Sequence, residues 1–457
     1  MRSNSMPSEK EPSGIKKQNE VSRRLFLRNG LEAAGVWMAL PWVIPSLAKG
    51  RNSPNERIGI GCIGVGRMGL SNLRNILQFE DVQVVAVCDV DARRADYARQ
   101  VIVQHYGKNS RAGGASSCAV YRDFRELIVD PHVDAVQICT PDHWHALPAV
   151  AAAKAGKDIY VEKPLALTLQ EGRIISDTVR RYGVILQVGS QQRSDERFRR
   201  ACELVRNGRV GTLHTIKIGM GADQATDVWP PMPVPAHLNY DMWLGPAPWM
   251  PYTEQRVHPQ NSYDRPGWLR IHDYCLGMIT GWGSHHLDIA QWAMDTEHTG
   301  PVEIAGRGVF PHDGLWDVPT SYHVEYTYAN GVKVFAGDHS YYREGVLLEG
   351  SSGWIHVLRG AMDANPKSLL TSRLKAGEIR LYRSTDHARN FLDCIRSRRP
   401  PAAPAEVAHR SCSVCILGDI AMRLGQTLKW DPTQERFSNS ESANRMLSRS
   451  MRSPWKL

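Results

Sequence analysis

Arg57-Ile58-Gly59-Ile60-Gly61-Cys62-Ile63-Gly64-Val65-Gly66-Arg67-Met68-Gly69 is the stretch that decides the fold. Arg57 to Ile63 reads as a short apolar strand, and Leu70 to Phe79 carries apolar residues at helical spacing. The glycines therefore occupy a strand-to-helix turn. There Gly64 permits the tight bend, Gly66 lets backbone approach a pyrophosphate, and Gly69 lets helix pack on strand, with Arg67 and Met68 between them. The helix start offers free N–H groups and a partial positive charge to an anion. A second apolar run, Val82 to Val87, leads to Asp89, about 20 residues beyond the last glycine. A carboxylate there accepts hydrogen bonds from ribose hydroxyls and repels a 2′-phosphate, which favours NAD over NADP. Arg93 and Arg94 keep NADP open as the alternative.

Strands and helices go on alternating to about Gln191. Val133 to Cys139, Asp158 to Val161 and Val184 to Val188 read as strands; Leu147 to Ala155 and Leu169 to Arg181 read as helices. This is the pattern of a parallel, doubly wound sheet, so residues 57–191 are expected to form a Rossmann dinucleotide-binding domain. Ligands bind beyond the carboxyl ends of such strands, where Thr140 and Lys163 emerge. Lys163, in Glu162-Lys163-Pro164, can act as the proton acceptor for a substrate hydroxyl if burial and cofactor charge lower its pKa. Glu162 reads as a positioning group.

Beyond the Rossmann segment the texture changes. Arg197 to Asn207 reads as a helix and Leu213 to Met220 as a strand; a Pro- and Trp-rich stretch follows from Trp229 to Pro266. Alternating runs at Ser321 to Tyr328, Val332 to Gly337, Gly345 to Gly350 and Trp354 to Val357 imply a mixed sheet. Helices are expected at Thr385 to Arg396 and Ala408 to Leu424. The expected fold is thus α/β, a Rossmann domain followed by an α/β domain over 192–437 with a large, mostly antiparallel mixed sheet. A flexible Ser- and Arg-rich tail is expected over 438–457. Nine cysteines form no disulfide framework. Cys412-Ser413-Val414-Cys415 has redox spacing but lies in a helical stretch, so packing is the expected role.

Three further blocks resemble the Gfo/Idh/MocA family of nicotinamide-dependent sugar and polyol oxidoreductases: Ile138-Cys139-Thr140-Pro141-Asp142-His143-Trp144-His145, Gly156 to Pro164, and Gly281-Trp282-Gly283-Ser284-His285-His286-Leu287-Asp288. The likeness runs from Arg57 to Pro432. It implies Thr140 and Pro141 beside the cofactor, Lys163 and His285 as the catalytic pair, and a second domain used for oligomerisation. The chain departs from the family one helical turn before His285, where an Asp is usual and Gly281 stands; Asp273 or Asp288 are the candidates to replace it. His143 and His145 are expected to line the nicotinamide pocket or fix a loop. Gln191, Gln192, Arg193, Trp282 and His286 are candidates for sugar contacts, and Trp229, Trp243 and Trp249 for stacking or core. His285, His286 and Asp288 lack the further ligands a metal needs, so no metal is expected.

Ser22-Arg23-Arg24-Leu25-Phe26-Leu27-Arg28, the apolar stretch Ala33 to Ala48 and the small-x-small site Ser46-Leu47-Ala48 match a twin-arginine export signal over 1–48. The apolar stretch contains Pro41 and Pro45 and is too short for a stable membrane span. The expected location is periplasmic, with the twin-arginine machinery as a partner. Formal net charge is +9, but no basic stripe interleaved with aromatics points to nucleic acid. An exported enzyme meets no free NAD pool, so tight cofactor retention is expected. The resulting reading is oxidation of a secondary hydroxyl on a sugar, polyol or glycoside. The alternatives are a redox-neutral glycosidase or lyase, and a carbohydrate-binding protein with structural NAD.

Overall fold

The computed structural model describes residues 56–109 and 118–457; the expected export signal and cleavage site lie outside the described residues. β1 (Ile58–Ile63) is buried along its whole length, as a central parallel strand must be. It leads into α1 (Arg67–Ile76), which begins directly after Gly66, earlier than the apolar spacing alone placed it. β2 (Val82–Cys88), α2 (Ala92–Asn109), β3 (Ala119–Tyr121), α3 (Phe124–Val129), β4 (Ala135–Ile138), α4 (Ala146–Lys154), β5 (Asp158–Val161), α5 (Leu169–Tyr182) and β6 (Leu186–Val188) complete the first layer set. The sheet is parallel in the order β3-β2-β1-β4-β5-β6, the doubly wound arrangement. α5 starts on a capping box, Thr168 with Glu171, and ends at Gly183 with φ 65°.

The second domain opens with α6 (Glu196–Arg206) and β7 (Leu213–Met220). The Pro- and Trp-rich stretch contains only α7 (Tyr240–Leu244), whose Trp243 packs with Tyr240, Tyr252 and Tyr274 in a small core of its own. α8 (Met278–Gly281) and α9 (Gly283–Met294) follow, then β8 (Glu303–Val309), β9 (Ser321–Thr327), β10 (Lys333–Asp338), β11 (Gly345–Gly350), β12 (Gly353–Leu358) and β13 (Ala361–Asn365). α10 (His387–Ser397), α11 (Ala405–Leu424), β14 (Leu428–Asp431), β15 (Arg436–Phe437) and α12 (Glu441–Arg445) end the chain. The nine strands run β13-β12-β11-β7-β10-β9-β8-β14-β15; β7 and β10 pair parallel and the remaining pairs of the sheet are antiparallel.

α11 is the joint between the domains. Almost every face of it is buried, including Cys412 and Cys415, which are free thiols packed in the core. Arg173 on α5 reaches Glu406 on α11 and Glu435 after β14, each at 2.7 Å. The expectation of a flexible tail from Ser438 is corrected. Phe437 N–H donates to Asn444, α12 is capped by Ser440, and Trp455 packs edge-on against Trp144 with centroids 4.8 Å apart. Five apolar side chains, Met446, Leu447, Met451, Trp455 and Leu457, anchor what the sequence presents as a polar, basic end. Among the described residues, no helix is long and apolar enough to cross a membrane.

Candidate active site

Strand order reverses between β1 and β4, and the crevice at their carboxyl ends is where open α/β sheets bind ligands. A cleft of about 740 Å³ opens there, with Gly64, Asp89, Thr140, Lys163 and Glu162 on its Rossmann wall. Trp282, His285 and Arg359 face them from the second domain.

The glycine loop forms one end. Gly64 has φ +81°, and a Cβ there would meet the Cys139 carbonyl at 2.8 Å. A Cβ on Gly69 would meet the Gly64 oxygen at 2.0 Å, so only glycine lets α1 sit against this turn. No side chain caps α1, which leaves its first amides for a ligand. Arg67 and Met68, in its first turn, also line the cleft. Asp89 accepts from the Val65 N–H at 2.8 Å and the Asp91 N–H at 2.9 Å, each oxygen keeping a lone pair for a ribose hydroxyl. Farther in, Thr140 Oγ1 is buried without a partner, and Pro141 stands beside it on the wall. A bent glycine loop, an uncapped helix and a carboxylate at the second strand end fit a dinucleotide. Arg94 also lines the cleft, but one of its nitrogens is spent on the carbonyls of Pro259 and Ser262, at 2.9 and 3.1 Å. Arg93 is exposed.

Lys163 and His285 reach the other end from different domains. Lys163 Nζ donates to the Gly281 carbonyl at 2.8 Å, so the residue that replaces the expected Asp still holds the lysine, through backbone. Glu162 is fixed by Asn72 at 2.8 Å and Gln191 at 3.2 Å, and its carboxylate lies against Gly189, where a Cβ would collide. Burial raises its pKa, opposed by Lys163 and Asn72. His285 Nδ1 is buried without a partner; burial first, then the Lys163 charge, holds the ring well below the usual histidine range and keeps it neutral. Trp282 carries the Arg359 guanidinium over its ring at 4.8 Å.

Several expected residues are placed elsewhere. His143 is buried behind the wall, with Nε2 against the Trp243 carbonyl at 3.2 Å and its ring against Tyr274, so it fixes a loop rather than lining the pocket. His145 lines the cleft, but its nitrogens face the carbonyls of Pro164 and Thr140, at 2.7 and 2.9 Å. Burial lowers its pKa to about 4. Arg193, 3% exposed, makes two bonds to Asp288 and one to Glu297, a structural ion-pair cluster with no reach to a sugar. Asp288 accepts from Ser411 as well, which removes it as a replacement for the missing Asp. Asp273 does not line the cleft either. Gln192 is buried beside Gln191, which takes the wall position instead. His286 is stacked behind Trp282 and buried, its pKa lowered to about 3 by burial. Of the loop tryptophans, Trp243 is core and touches the cleft wall, while Trp229 and Trp249 are exposed outside it.

The sequence reading missed Asp142 and Arg359. Asp142 stands between Pro141 and His143, where spacing alone does not distinguish it from its neighbours. Arg359 sits in a turn with no pattern around it.

The Gfo/Idh/MocA model described as the NAD-binding Rossmann fold of an oxidoreductase family matches residues 58–190, and the C-terminal alpha/beta domain of the same family matches residues 222–457. A myo-inositol 2-dehydrogenase from Thermotoga maritima is 36% identical over 160 residues, 35% of this chain and 44% of that protein. An alpha-N-acetylgalactosaminidase from Shewanella oneidensis is 36% identical over 126 residues, 28% of this chain and 27% of that protein. This chain thus matches less than half the length of either relative. Among solved structures, the WlbA dehydrogenase from Bordetella pertussis in complex with NADH and UDP-GlcNAcA superposes with a TM-score of 0.59 at 15% identity, covering 82% of this chain and 99% of that one.

Proposed function

The chain belongs to the Gfo/Idh/MocA oxidoreductase family, and from that premise we propose that it oxidises a secondary hydroxyl of a sugar, polyol or glycoside. One observation carries the reading: Lys163 from the Rossmann domain and His285 from the second domain line one cleft with the glycine loop. NAD is the expected dinucleotide over NADP, because Asp89 stands at the ribose position and Arg94 is partly committed to carbonyls. When bound, the dinucleotide supplies the hydride acceptor. The residues of the chain do the rest. Lys163 takes the hydroxyl proton, held by a neutral carbonyl that leaves the amine facing the cleft. Neutral His285, with its Nδ1 unpartnered, offers one ring nitrogen to the reacting oxygen. Glu162, tied to Asn72 and Gln191, orients Lys163.

The twin-arginine segment supports a periplasmic enzyme, exported folded with its dinucleotide retained. The broad sheet supports a homo-oligomer. A redox-neutral glycosidase is the second reading, favoured by the similarity to an alpha-N-acetylgalactosaminidase. The test is a panel of hexoses, inositols and aryl glycosides, following both NADH and released aglycone. Net NADH supports the oxidoreductase, and aglycone without net NADH the glycosidase. Lys163→Met should lower either activity about 10²–10⁴-fold. Full activity in that variant overturns the assignment, and sugar binding without turnover in the wild type points to a carbohydrate-binding protein.

A further inference from the structure

Lys163 needs somewhere to send the proton it removes, and the one hydrogen-bond partner of its amine among the described residues, the Gly281 carbonyl, cannot take it. Four carboxyl groups line the cleft: Asp89, Asp142, Glu162 and Asp264. Asp89 is committed to two amides at the ribose end. Glu162 is committed to Asn72, Gln191 and the Lys163 N–H. Asp264 is exposed and accepts from Ser262. Asp142 alone is both buried, 4% exposed, and open: its Oδ2 has no hydrogen-bond partner. A buried carboxylate oxygen left bare is costly unless a proton or a ligand satisfies it.

We propose that Asp142 completes the proton path of this site, receiving from Lys163 the proton taken from the substrate. The inference rests on the oxidoreductase reading above. In the step, the substrate O–H bond breaks, its proton passes to the Lys163 amine, and the C–H electron pair leaves as hydride to the dinucleotide. Lys163 then gives a proton to the Asp142 carboxylate, leaving a neutral acid and a free amine. No ion pair within 4.0 Å joins the two, so the transfer runs through a hydroxyl or water in the cleft.

The surroundings suit a carboxyl that changes protonation in the neutral range. The groups acting on Asp142 are the Cys275 thiol, Lys163 and Glu162 on the strand-end turn, and Cys412 on α11. Burial pushes its pKa up to about 7, against the lowering effects of Cys275 and Lys163. The role is a positioning one, exerted through Lys163.

The test uses the full-length protein and needs no substrate. Difference infrared titration reads the protonated carboxyl stretch, and acetic anhydride labelling followed by mass spectrometry reads the Lys163 amine. The wild type should show an acid band that titrates near neutrality and is missing in Asp142→Asn. Lys163→Met, which removes the neighbouring cation, should shift that band to higher pH. Labelling of Lys163 should rise several-fold in Asp142→Asn, because loss of the carboxylate destabilises the ammonium. A band insensitive to Lys163→Met, or labelling unchanged in Asp142→Asn, overturns the proposal and leaves the oxidoreductase reading standing. In turnover, Asp142→Asn should lower kcat with little change in KM and remove the limb near neutrality from the pH profile. An unchanged profile also overturns it.

Discussion

At the scale of single residues, the site is set by which polar groups are satisfied and which are left open. Thr140 Oγ1, Asp142 Oδ2 and His285 Nδ1 are buried and unpartnered around one cleft, while Glu162, His145 and Arg193 are saturated. The saturated residues hold shape; the open ones await a ligand. Asp142 has a consequence for stability. Its folded-state pKa, about 7, lies above the ordinary 3.8, so its contribution is full below the ordinary value and lost as pH rises through about 7. Asp142→Asn should therefore gain stability relative to wild type between about pH 4 and 8, by up to about 4 kcal/mol. Denaturant unfolding at the two pH values measures this, and a constant difference would count against the raised pKa. Arg193→Met should cost about 3–5 kcal/mol by leaving the carboxylates of Asp288 and Glu297 buried without their cation. The same unfolding experiment checks it. Gly281→Asp meets open space, with only Met278 Sδ at 3.9 Å from the added Cβ, so that variant should fold and give Lys163 a carboxylate partner.

At the scale of elements, the first domain was legible because each piece announces itself locally. β1, β4 and β5 are short, mostly apolar runs buried along their whole length, and the glycines fix the turn between β1 and α1. Gly64→Ala should push a Cβ into the Cys139 carbonyl at a left-handed position, costing about 1–3 kcal/mol and most of the dinucleotide affinity. Calorimetric titration with NAD on stripped protein reads the loss. The large sheet was only half legible. β7, β9, β10, β11 and β12 have the expected alternation, but β8, Glu-Ile-Ala-Gly-Arg-Gly-Val, has two glycines and an arginine and no clean period. β13, β14 and β15 are short strands at the two ends of the sheet whose pairing decides them. The site followed the same division. Lys163 and the glycine loop are local features, whereas the facing of His143, Arg193 and His286 depends on packing against Tyr274, Asp288 and Trp282, which spacing does not encode.

At the scale of the whole molecule, the two domains share one cleft and are tied by α11 and by the C-terminal segment. Arg449 joins Glu171 at 2.8 Å and the His143 carbonyl at 2.7 Å, and Trp455 braces Trp144, itself a cleft residue. Deleting residues 446–457 should lower the melting temperature and speed dinucleotide release together, measured by scanning calorimetry and by the decay of NADH fluorescence. An unchanged release rate would confine the segment to stability alone. Under the proposed export this coupling would matter, since a cofactor lost outside the cytosol is not replaced. The decisive measurement is on protein purified from the exported fraction without added cofactor, denatured and assayed for nicotinamide dinucleotide in the supernatant. The account expects a stoichiometric amount, predominantly NAD. A protein that arrives empty and binds the dinucleotide only weakly would contradict it.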